Sequence, residues 1–207
     1  MRTFLLLFCL GLGFAPLHAQ NSPETIYRSG QEHFQNGDTL GALADFTQAI
    51  LLKPDFPEAL NAKGVLLFLT GDHRGAINAF NLALRLSPKD AQVYFNRGVV
   101  NSQLEQNKAA MADYNTAIRR KPDFAEAYFS RGILKGNMGN LKGEVKDYTK
   151  AIQLKKNYSD AYFNRALAYF DLEENEAAIA DYTKAASLNA GTPFLAKGSA
   201  RPQLTIY

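Results

Sequence analysis

Small and aromatic side chains recur along this chain at helical spacing, and the whole set then recurs at a longer interval. Laid out in blocks of thirty-four from Pro23, the sequence gives five repeats without insertion or deletion: 23–56, 57–90, 91–124, 125–158 and 159–192. Position eight holds Gly30, Gly64, Gly98, Gly132 and Ala166; position twenty holds Ala42, Ala76, Ala110, Glu144 and Ala178. Position twenty-four holds Phe46, Phe80, Tyr114, Tyr148 and Tyr182, and position twenty-seven is alanine throughout: Ala49, Ala83, Ala117, Ala151 and Ala185. Positions 4, 8 and 11 are spaced i, i+4, i+7, as are 20, 24 and 27, so each set lies on one face of its own helix. Between the two sets stand Gly37-Asp38, Gly71-Asp72 and Gly139-Asn140, where glycine takes φ > 0 and the Asp or Asn caps the next helix. Pro54, Pro88 and Pro122 at position thirty-two end the second helix. The pattern predicts an all-α chain of five helical hairpins.

A fixed period of this length marks a stacked-repeat architecture. Small residues at 8, 20 and 27, an aromatic at 24 and a proline at 32, held in register over residues 23–192, resemble the tetratricopeptide repeat (TPR). The tryptophan usual at position four is replaced by Ile26, Leu60, Tyr94, Tyr128 and Tyr162. The resemblance implies a right-handed α-α superhelix, a solenoid of five helix-turn-helix TPR units whose first helices line a concave groove. It also implies that the groove binds peptides or partner proteins, with no cofactor and no chemistry of its own. The fourth repeat departs most, with Glu144 in place of alanine, Lys135 at position eleven, Lys156 in place of proline, and the extra glycines Gly136 and Gly139. Lys135 and Glu144 lie on faces that meet inside the hairpin, so they are expected to pair.

Arg97, Arg131 and Arg165 occupy position seven, and the same three repeats carry Asp113, Asp147 and Asp181 at position twenty-three. A planar guanidinium on an apolar stem suits a partly buried carboxylate, so a structural ladder of ion pairs between helices is expected rather than capture of an anionic ligand. A neighbouring stripe is the groove candidate: Tyr27, Asn61, Phe95, Phe129 and Phe163 at position five, Val65, Val99, Ile133 and Leu167 at position nine, and Asn96, Ser130 and Asn164 at position six. These would make the groove aromatic and apolar, with amides and a hydroxyl to bond an extended backbone. The alternative is that packing against neighbouring helices absorbs them. Tyr27 and Gln31 stand where relatives that clamp a chaperone's C-terminal carboxylate carry Lys and Asn, which argues against that ligand.

Composition adds limits. With 23 basic and 20 acidic residues, the formal charge of +3 is spread along the chain and gives no case for nucleic acid. His33 and His73 sit at non-equivalent positions without metal-ligand spacing, and no nucleophile elbow or phosphate loop occurs, so no enzyme activity and no metal are expected. Residues 1–19 are of a different character: Arg2, an apolar run from Phe4 to Phe14, then Ala19 at the cut, in the order of a secretory signal peptide. The run is too short to span a bilayer at about 20 residues per helix, so no stable membrane span is expected once it is cleaved. Export to a bacterial periplasm is the expectation, with secretion second. The tail, 193–207, has no helical period; Phe194 and Leu195 are expected to fold back on the last helix, the competing idea being self-association through that end.

Overall fold

In a computed structural model, residues 22–188 are described. They form ten helices: α1 (Pro23–Gln35), α2 (Thr39–Leu52), α3 (Pro57–Leu69), α4 (His73–Leu86), α5 (Ala91–Gln103), α6 (Asn107–Arg120), α7 (Ala125–Asn137), α8 (Leu141–Leu154), α9 (Ser159–Asp171) and α10 (Asn175–Leu188). No strand occurs among the described residues. The signal segment and the tail lie outside them. The chain divides into two compact bodies at Pro54/Asp55. The first holds the hairpin α1/α2. The second holds four hairpins, in which each second helix packs on the first helix of the next, α4 on α5, α6 on α7 and α8 on α9, while consecutive first helices adjoin.

The starts and stops follow local chemistry. Ser22 accepts from Thr25 N ahead of Pro23, whose fixed φ suits the first helical position. Asp38, Asp72 and Asn140 accept from the backbone of Gly41, Gly75 and Gly143 at 2.9, 2.8 and 3.0 Å. In the first four hairpins the aromatic at position twenty-four lies against the glycine at position eight. A methyl added at Gly132 would sit 2.6 Å from Tyr148 Cε1, and one at Gly64 2.6 Å from Phe80 Cε1. Tyr148 and Phe80 are themselves fully buried, so neither ring has room to give way. The missing Cβ is what lets these four pairs of helices close around their rings.

Position fifteen, in the turn of each hairpin, is left-handed throughout. Gly37, Gly71 and Gly139 adopt φ 81°, 90° and 76°, and the equivalent Glu105 and Glu173 adopt φ 57° and 61°. A side chain in that region costs roughly 1–2 kcal/mol, against about 0.5–1 kcal/mol of extra chain entropy for glycine. The double variant Glu105→Gly, Glu173→Gly should therefore gain about 1–2 kcal/mol and raise the thermal midpoint by about 3–6 °C in a circular dichroism melt. A lowered midpoint would show that these carboxylates contribute more than their backbone costs.

Candidate functional site

Each position-seven arginine forks onto the aspartate of its own repeat. Arg97 donates from Nε and NH2 to Asp113 at 3.0 and 2.6 Å, Arg131 to Asp147 at 2.8 and 2.7 Å, and Arg165 to Asp181 at 2.6 and 2.9 Å. The remaining nitrogen, NH1, reaches back to position twenty-five of the preceding repeat: Asn81 at 2.7 Å, Asn115 at 2.7 Å and Thr149 at 2.9 Å. Each guanidinium also lies over the tyrosine three residues earlier, Tyr94, Tyr128 or Tyr162, at 5.4–5.6 Å from the ring centroid. One side chain thus fastens three helices of two consecutive repeats. Sequence reading paired Arg with Asp but missed the bridge to position twenty-five and the tyrosine stack. The shared thirty-four-residue period of those residues was the signal available.

Position eleven completes the cluster. Asn101 donates to Asp113 at 2.9 Å, and Lys135 Nζ lies 2.7 Å from Asp147 Oδ2. In the first body the equivalent His33 Nδ1 lies 3.0 Å from Asp45 Oδ2. The second repeat, with Ala79 at position twenty-three, has Leu67 there. The expected Lys135–Glu144 pair is therefore corrected. Lys135 stands one turn beyond Arg131 on the same stripe and shares its aspartate. Glu144 instead covers Gly136, where a Cβ would fall 2.5 Å from its carboxylate, and accepts from the Tyr148 hydroxyl at 3.0 Å.

Burial raises the Glu144 carboxyl above its ordinary range, and the nearby Asp171 charge adds to the rise. The native state therefore holds this proton more tightly than the unfolded chain, so stability falls as pH rises from the ordinary carboxylate range through the raised value. Glu144→Gln keeps an acceptor for Tyr148 and removes the charge. It should raise the melting temperature at pH 7 and have little effect below pH 4, as followed by melts across pH. Loss of stability at pH 7 would assign the carboxylate a favourable partner.

The groove stripe is corrected for seven of its twelve residues. Asn61, Val65, Phe95, Asn96, Val99, Phe129 and Ser130 are all buried. Phe95 packs between Tyr114 and Phe124, at 6.1 and 4.9 Å between centroids, and Phe129 between Tyr148 and Tyr158, at 5.5 and 4.9 Å. The short side chains Ala62, Asn96 and Ser130 at position six let the first helices close over them. Asn96 Nδ2 donates to Asn61 Oδ1 at 3.0 Å and accepts from Gln92 Nε2 at 3.0 Å, so these amides hold α3 to α5. In the second body Ile133, Phe163 and Asn164 are half-buried and Leu167 is exposed; in the first body Tyr27 is half-buried against Phe46.

A cleft of about 320 Å³ lies among α4, α5 and α6, lined by Ile77, Asn81, Arg97, Asn101, Ala109, Ala112 and Asp113. Its polar groups are committed to one another. No cluster of three metal-ligating side chains occurs among the described residues, and no described helix is long and apolar enough to cross a membrane.

Ten helices among the described residues, in closed hairpins with period-matched staples between them, define a helical-repeat protein. Tetratricopeptide-repeat models match residues 27–91, 102–139, 125–158 and 159–190, and the chain belongs to the tetratricopeptide-repeat family. Among solved structures it is similar to MamA from Desulfovibrio magneticus RS-1, with 20% identity, TM-score 0.73, and coverage of 83% of this chain and 97% of that one. It is also similar to YrrB, described as a TPR protein with an unusual peptide-binding site, with 20% identity, TM-score 0.66, and coverage of 84% and 90%. PilF of Pseudomonas aeruginosa gives 18% identity, TM-score 0.75, and coverage of 80% and 75%. At these identities the likeness carries the fold. No curated protein matches the chain.

Proposed function

We propose that this chain is an exported, non-catalytic interaction module that takes an extended peptide or partner segment along the face of its first helices. The observation that carries the reading is the side-by-side placement of α5, α7 and α9, with Ile133, Phe163 and Asn164 accessible on or beside that face. Two apolar side chains and an amide are thus partly accessible there, which suits a chain that offers alternate apolar side chains and backbone polar groups. The peptide-binding description of YrrB supports the same use of the fold. Peptides selected from a displayed library on the full chain provide the probe. Ile133→Ala with Asn164→Ala should weaken them at least tenfold, and Arg119→Ala with Lys142→Ala on the second helices should not. Affinity that ignores the first pair and depends on the second would overturn the reading.

The burial of seven stripe residues favours a second reading, a structural adaptor in a cell-envelope complex that uses its edges or ends. Selection that yields only folded partners, and no linear peptides, would support it. Export rests on the basic start and apolar run of residues 1–19. Mass spectrometry of the protein recovered from a periplasmic fraction should find Gln20 at its N-terminus. Retention of Met1 in the cytoplasm would contradict export.

A further inference from the structure

We propose that the outward face of α4, α6 and α8 seats the protein on an anionic lipid surface, its cations meeting the headgroup phosphates without any segment entering the bilayer. The inference does not rest on what the first-helix face binds.

The fold gathers charge that the sequence spreads out. Positions 18, 22, 26 and 29 share one face of each second helix, opposite positions 20, 24 and 27, which close the hairpin. In repeats two to four this face carries no carboxylate. Position 18 is Arg74, Lys108 and Lys142, position 29 gives Arg85 and Arg119, and α8 adds Lys146 and Lys150. All are exposed except the half-buried Lys150, and none forms an ion pair among the described residues. The acidic groups of the same helices are engaged elsewhere. Asp113 and Asp147 are buried under Arg97 and Arg131, and Glu144 covers Gly136. Asp72, in the turn before α4, is taken by the backbone of Gly75. The face stops at the fourth repeat, since the fifth has Glu176 at position 18.

These cations work against the helices that carry them. Arg74, Lys108 and Lys142 are each the second residue of a helix, where the positive end of the dipole repels them, and α4 and α6 have no acid in the first turn to offset it. Lys142, Lys146 and Lys150 follow at i, i+4, i+8, which sets like charges side by side. A surface that serves solubility alone intersperses both signs. A one-signed array that opposes its own helices fits a partner that supplies the anions.

The layout favours lipid over other polyanions. The cations extend in two directions, along α8 and across position 18 of three helices, which matches a sheet of headgroups better than the single line of a strand. Leu82 and Leu86, 46% and 44% exposed, flank Arg85 and offer apolar contact at headgroup depth. The Phe and Tyr rings of these helices, Phe80, Tyr114 and Tyr148, are all buried, so bases would find no ring to stack on.

Vesicle co-sedimentation tests the placement, using the chain from Gln20 onward, which keeps every described helix. Vesicles of about one-third phosphatidylglycerol in phosphatidylcholine are compared with phosphatidylcholine alone. Binding to the anionic vesicles should be at least tenfold tighter, and Lys146→Gln with Lys150→Gln, or Arg74→Gln with Lys108→Gln, should each weaken it about tenfold or more. Arg28→Gln with Lys63→Gln removes the same charge from first helices and should leave it within about twofold. None of these side chains is buried or ion-paired, so the variants keep the parent's helical circular dichroism. Equal binding to both kinds of vesicle, or an equal loss in the first-helix variant, overturns the proposal. Binding of duplex DNA or polyglutamate that depends on the α8 lysines, with none to vesicles, also overturns it and assigns the array to a nucleic acid or an acidic protein.

Discussion

Asp147→Ala should lower the thermal midpoint of this protein by about 10 °C, the largest effect of any single polar substitution in the stack. Asp147 is 2% exposed and accepts from Arg131 through both oxygens while Lys135 lies 2.7 Å away. Removing it leaves two cations, both more than four-fifths buried, without their counter-ion. Breaking a buried pair from one side costs about 3–5 kcal/mol, because the remaining charge stays desolvated. For a chain of this size each kcal/mol shifts the midpoint by about 2–4 °C. Asp113→Ala should cost less, since its partners are one arginine, itself more exposed, and the neutral Asn101. Differential scanning calorimetry of the two variants checks both the size and the order. A midpoint unchanged within 1 °C for Asp147→Ala would remove the staple from the stability of the fold.

Phe129→Ala should cost about 3–5 kcal/mol of stability, as expected for a fully packed aromatic. The ring is buried against Tyr148, Tyr158, Ala151, Ile152 and Ala161. Had it lined an open groove, its removal would leave urea unfolding unchanged and act only on a ligand. Ile133→Ala, on the same helix but half-buried, should cost about 1 kcal/mol. Equilibrium unfolding in urea distinguishes the two, and equal small effects would return Phe129 to the surface.

The hairpins were readable because their determinants are local: glycine under an aromatic at a fixed offset, an Asp or Asn at the turn, and proline past the second helix. The Arg–Asp ladder was readable because both members occur in the same three repeats. The partner of Lys135 was not, since Asp147 and Glu144 are both within reach from position eleven, and Gly136 decides the matter by admitting Glu144 onto the helix backbone. Burial of positions five and nine depends on how closely successive first helices approach. That distance is set jointly by Ala62, Asn96, Ser130 and the aromatics behind them, and no spacing rule within one repeat contains it. Glu105 and Glu173 were legible in principle, because the period puts them where three other repeats have glycine.

In the proposed mode of recognition the first-helix side of the stack takes the ligand toward its fourth and fifth repeats, with the second helices and their staples holding that surface in place. Amide chemical-shift mapping of the full chain, titrated with a peptide selected on it, tests this most directly. The largest perturbations should fall on α7 and α9, around Ile133, Phe163 and Asn164. Perturbations confined to α6 and α8, around Arg119 and Lys142, would contradict it.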